Sequence, residues 1–170
     1  MKKNITILIL LFCISILAQT KNKVEKSGTS KASTVYRVES EDKKMKKAIR
    51  QAKASFNEFE TALKSDNPNF KNFLLKKGFE SPNGEEYLWV RNILINKVNN
   101  NYVGIVANEP LYTNAVQNGD FIEINSDDVG DWMYLDNNVV KGGYTLKLLR
   151  NRMSKKERQQ FDAESNLKFK

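Results

Sequence analysis

The chain has 170 residues, 28 Lys+Arg against 20 Asp+Glu, a formal net charge of +8, no His and one Cys. That length suits one ordinary domain rather than two. Without His there is no Ser-His-Asp triad, no imidazole base and no His metal ligand. The basic total invites nucleic acid or an anionic membrane surface as partner.

The first eighteen residues have the order of an export signal. Lys2 and Lys3 precede an apolar run from Ile5 to Leu17, and Ala18 offers a small residue for cleavage before polar Gln19-Thr20-Lys21. The run has 13 residues, short of the roughly 20 that span a bilayer as a helix. The expectation is a signal peptide at 1–18 and a periplasmic or secreted protein with no transmembrane helix in the mature chain. Cleavage removes Cys13, and with it any disulfide, thiol nucleophile or Cys-metal site. Stability must then come from a packed core. Residues 19–37 are Lys, Ser, Thr and Gln with little apolar content, a flexible tether; Val35-Tyr36-Arg37-Val38 at its end could enter the domain as a short strand.

Ser40-Glu41-Asp42 reads as a helix cap with acids in the first turn. Met45, Ala48, Ile49, Ala52, Phe56, Phe59 and Leu63 follow at gaps of three or four, which predicts one amphipathic helix. Asn67-Pro68-Asn69 must end it. The cations Lys43, Lys44, Lys46, Lys47, Arg50 and Lys53 lie mostly off the apolar stripe, and a solvated outer face is the plain reading of them. Strands are expected over 70–79, 86–98, 102–107, 121–124 and 129–135. Turns fall at Ser81-Pro82-Asn83-Gly84, Asn99-Asn100-Asn101 and Asp136-Asn137-Asn138, the last leading into Val139-Val140. Gly142-Gly143 precedes a helix from Tyr144 to Met153, and Ser154-Lys155-Lys156-Glu157 is a capping box for a last helix.

Helix, clustered strands and helix again argue for α+β. The N-terminal amphipathic helix packs on a small antiparallel sheet of five to six strands, open or barrel-like, with C-terminal helices. Charge is segregated along this body: 41–53 and 141–152 are each +4, whereas 54–140 hold six basic and thirteen acidic residues. Such a polarised domain gives no footing for nucleic-acid binding.

Asp42 and Met45 on the helix, Glu86-Tyr87-Leu88-Trp89-Val90, Asn108-Glu109-Pro110, Gly119-Asp120, Asp131-Trp132-Met133 and Gly142-Gly143-Tyr144-Thr145 stand in an order that resembles domain-of-unknown-function family 2314, which includes the YegJ-like proteins. The resemblance covers 38–162 and leaves 163–170 as a tail. It implies a single α+β domain with Glu86, Trp89, Asn108, Pro110, Asp131, Trp132, Gly143, Tyr144 and Thr145 as signature or binding positions. It carries no activity, and no cofactor, metal or catalytic residue is assigned.

Each of these positions has two readings. Asp131 and Trp132 could wall a site, or Trp132 could be core while Asp131 bonds nearby amides. Glu86 and Asp131 could form a general acid–base pair of a hydrolase. Asn125 to Asp131 has a calcium-loop flavour but places Val129 where an oxygen ligand is wanted. Free amides at Gly142 to Thr145 could hold an anion, with Lys141, Lys147 and Arg150 nearby. The favoured function is an exported, non-catalytic binding or interaction domain for a protein or small molecule. Its recognition groove would lie near Trp89, Asn108, Trp132 and Tyr144. The alternatives are the carboxylate hydrolase and an envelope protein docking on anionic lipid through its basic segments.

Overall fold

The computed structural model describes residues 42–82 and 84–169, together with the backbone of a two-residue pair, β1 (Lys26–Ser27) and β2 (Val35–Tyr36), which run antiparallel. The expected signal peptide, the rest of the tether and Ser40-Glu41 lie outside the described residues.

The predicted first helix is present but divided into α1 (Lys43–Ala54) and α2 (Phe56–Leu63). Asp42 caps it, accepting from the amides of Lys44 (2.9 Å) and Met45 (3.1 Å). The break at Ser55 has a side-chain cause. The Trp132 indole N–H donates to the Ala52 carbonyl at 2.8 Å, and the Ser55 hydroxyl bonds back to Gln51 O at 2.9 Å. A carbonyl diverted in this way, with serine back-bonding beside it, bends a helix.

Six strands follow: β3 (Phe70–Ser81), β4 (Gly84–Ile95), β5 (Tyr102–Val106), β6 (Phe121–Ile124), β7 (Val129–Asp136) and β8 (Val139–Gly142). They form one antiparallel sheet in the order β6-β5-β4-β3-β7-β8. The sheet is open, which corrects the barrel-like form. β8 ends the sheet on one side; there the chain's last segment lies against it, with Val140 N donating to Lys168 O at 2.9 Å and Lys168 N to Asn138 O at 3.0 Å. β6 is the other edge.

The turns are made by asparagine. Asn137 and Asn138 have φ of 49° and 66°, the left-handed pair that a two-residue hairpin between β7 and β8 requires. Asn72 (φ 53°) and Asn92 (φ 56°) sit at register shifts in β3 and β4, where an extra residue is taken up as a bulge.

Alternate residues divide the core in two. Leu74, Trp89, Met133, Leu135 and Val140 pack with Leu146, Leu149, Met153 and Phe161 from α3 (Tyr144–Arg152) and α4 (Lys155–Ser165). Leu75, Val90, Tyr102, Ile124, Trp132 and Tyr134 pack on the other face with Ala52, Phe59 and Ala62. α1 contributes to both, through Met45 at its start and Ala52 near its end. The capping box of α4 is formed in full by Ser154 and Glu157. The residues expected as a tail continue α4 to Ser165 and set Leu167 and Phe169 against the first cluster.

Candidate functional site

Strand register decides which signature residues can meet. Lys76 pairs with Trp89 on one side and Asp131 on the other, so these three share a face. Phe79 pairs with Glu86, three residues along β3 from Lys76 with no register shift between β3 and β4. Glu86 therefore lies on the opposite face. Glu86 and Asp131 are separated by the sheet itself and cannot act as paired carboxylates on one substrate.

Glu86 is 2% exposed, and its carboxylate accepts the amides of Leu111 (2.8 Å), Tyr112 (2.9 Å) and Thr113 (2.8 Å). Asn108 Oδ1 accepts the Trp89 amide at 2.7 Å. Both side chains thus tie the 107–120 segment, which carries Pro110, to β4. Phe79, Leu88 and Val106 are buried with Val116 and Ile122 against them.

Asp131 is fully buried. Its Oδ1 accepts from Trp132 N (2.8 Å) and Tyr144 N (3.2 Å), and its Oδ2 from Thr145 N (2.8 Å) and Thr145 Oγ1 (2.6 Å). The first amides of α3 are therefore capped by a carboxylate from β7, because the local cap, Gly143, has no side chain to offer. The Tyr144 and Thr145 amides are thus taken by the protein's own Asp131. Gly143 and Gly142 adopt φ of 61° and 67°, a turn left-handed enough to aim those amides inward.

Lys76 completes this cluster and was missed by sequence reasoning. It is 4% exposed, its ammonium donates to Thr145 Oγ1 at 3.2 Å, and it lies 5.4 Å from the centre of the Trp89 ring. Burial pushes the Lys76 ammonium down to about 8, against the attraction of Asp131. Burial pushes the Asp131 carboxyl up, against the Thr145 hydroxyl, Lys76 and the two amides of Thr145 and Trp132. The signal available in the sequence was a lysine directly after Leu74-Leu75 inside a strand.

Trp89, Asn108 and Trp132 are 2%, 3% and 1% exposed and Tyr144 is half-buried. The expected groove therefore does not open at these side chains. Trp132 packs edge-on against Tyr144, whose hydroxyl lies 2.8 Å from the Ser55 hydroxyl. In the Asn125 to Asp131 stretch, Asn125 Oδ1 accepts the Asp127 amide, Asp128 pairs with Lys77 at 2.5 Å and Asp131 turns inward.

What the sheet does expose lies elsewhere. Arg91, Leu94, Val103, Ile105, Phe121 and Glu123 share the face of Trp89 and Asp131 by register. Among the described residues, α3 and α4 cover that face over β3, β7, β8 and the Trp89 end of β4 and leave the rest of β4 with β5 and β6 uncovered. Leu94 is 65% and Phe121 69% exposed, with Val103 and Ile105 half-buried between them. These residues went unnoticed in the sequence because the bulge at Asn92 puts Arg91 and Leu94 on one face, and only the layout of the helices reveals which part stays uncovered.

The family model described as "Uncharacterized protein conserved in bacteria (DUF2314)" matches residues 42–169. A "Putative ankyrin repeat protein NMB1133/NMB1171" of Neisseria meningitidis serogroup B is 28% identical over 146 residues, which cover 81% of this chain and 56% of that protein. "Uncharacterized protein YegJ" of Escherichia coli K12 is 25% identical over 102 residues, 60% of this chain and 64% of that protein. The chain thus spans less than two-thirds of either curated relative. No solved structure matches it.

Proposed function

The chain belongs to the DUF2314 family, and we propose that it is an exported, non-catalytic binding domain whose contact surface is the bare β4–β5–β6 half of the sheet. The observation that carries this reading is the exposure of Leu94 and Phe121 on one face, flanking Val103 and Ile105. Large apolar side chains grouped on one surface mark a protein contact more often than isolated ones. One relative's name adds support: a domain joined to ankyrin repeats would sit beside a scaffold used for binding proteins.

The signature carboxylates have structural employment. Glu86 anchors a loop and Asp131 a helix, on opposite faces. Export rests on the sequence of residues 1–18. The test is site-specific photo-crosslinking in cells from positions 94 and 121, with Leu94→Asp and Phe121→Asp as competitor variants. A discrete adduct that either aspartate abolishes supports the surface. Adducts unaffected by both substitutions remove it. Fractionation of the same cells tests export, which fails if the protein stays uncleaved in the cytoplasm.

A further inference from the structure

α1 is basic over its whole outer face. Lys43, Lys44, Lys46, Lys47, Arg50 and Lys53 are all exposed, and the helix holds no acid. At 100° per residue these six occupy the arc opposite Met45, Ala48 and Ala52, which are buried. Asp42 at its start caps the helix and pairs with Arg152 at 2.5 Å. That ion pair fastens α1 to α3, itself free of acids and carrying Lys147, Arg150 and Arg152. Residues 54–140, by contrast, hold thirteen acids to six bases. Along the chain, positive charge is thus gathered in α1 and α3, although Lys53 at the end of α1 donates to the Asp127 carbonyl at 2.8 Å.

From this sector we infer that α1 docks the domain on an anionic lipid surface. Charge complementarity names the occupant. Five of the six cations are lysines, hydrated point charges that suit a diffuse layer of headgroups better than a fixed phosphate geometry. No aromatic side chain stands on the exposed arc, as base stacking would need. The apolar side of α1 is committed to the core, and among the described residues no helix is long and apolar enough to cross a membrane. Docking is therefore peripheral and electrostatic, without insertion. It is independent of the uncovered sheet face.

The test is co-sedimentation of the full chain with vesicles of phosphatidylglycerol mixed with phosphatidylcholine, against phosphatidylcholine alone. The variant is Lys43→Gln, Lys47→Gln, Arg50→Gln. The charge-matched control is Lys64→Gln, Lys71→Gln, Lys97→Gln, which removes three exposed lysines from the acidic stretch. Each cation near such a surface raises partitioning by about fivefold, so the α1 variant should lose at least about tenfold on anionic vesicles. The control should stay within about twofold, and high salt should release the wild type. Emission from Trp89 and Trp132, both buried, should not move on binding. Equal losses in variant and control, or no loss in the variant, overturn the assignment. So does tighter binding to a DNA duplex than to anionic vesicles at the same ionic strength.

Discussion

Replacing Asp131 by Asn tests the anchoring of α3 most sharply. The wild-type carboxylate receives four donors, two on each oxygen, and faces the Lys76 ammonium. Asn keeps one carbonyl oxygen and turns an NH2 towards the donors of the other, so two buried donors lose their partner. Each such orphan costs about 1–3 kcal/mol. Lys76 must also lose its anion; with the ammonium already held near 8, neutralising it at pH 7 adds about 1.4 kcal/mol. The expected loss is about 4 kcal/mol. Equilibrium urea unfolding followed by the emission of the two buried tryptophans measures it, and for a domain of this size Tm should fall by roughly 10–20 °C. The loss should be smaller at pH 9, where Lys76 has already shed its proton. As a comparison, Asp162→Asn breaks a more exposed pair with Arg150 and should cost no more than about 1 kcal/mol. A loss below about 1 kcal/mol for Asp131→Asn would refute the view that this carboxylate holds the helix to the sheet.

Three further outcomes follow from the same geometry. Glu86→Gln leaves at least one of three loop amides without an acceptor and should cost about 2 kcal/mol while making the 107–120 segment cleavable by protease under native conditions. Stability should rise with pH from about 8 to 9.5, because the unfolded chain keeps the Lys76 proton that the folded one releases near 8. Below that value Lys76 is charged in both states and its burial cost is constant, and Lys76→Met should remove the rise in urea titrations. Gly142→Ala places a Cβ 2.3 Å from the Trp132 carbonyl oxygen and 2.4 Å from its ring at a φ of 67°; soluble yield should collapse, and a variant that folds with a wild-type midpoint would contradict the described turn.

The elements legible in the sequence were those whose cause is local. Alternation placed β6, the Asn pair placed the β7–β8 turn, and Ser154 with Glu157 placed the start of α4. What escaped depends on residues far apart. The break at Ser55 needs an indole from eighty positions on. The burial of Lys76 needs Asp131 and Thr145 from another strand and a helix, whereas a lone lysine is ordinarily placed on the surface. The openness of the sheet reflects edges that a list of strands does not order: β8 meets Lys168, while β6 ends the other side. The resemblance singled out these positions as a set, but their chemistry, a loop anchor on one face and a helix cap on the other, came only from register.

The central claim is that contact is made by the bare half of the sheet and not by the buried signature residues. Photo-crosslinking in cells from positions 94 and 121, with exposed positions 155 and 159 on α4 as controls, tests it directly. The account predicts a discrete adduct from the first pair only, abolished by Leu94→Asp or Phe121→Asp at an unchanged urea midpoint. Adducts from α4 alone, or adducts that survive both substitutions, would contradict it.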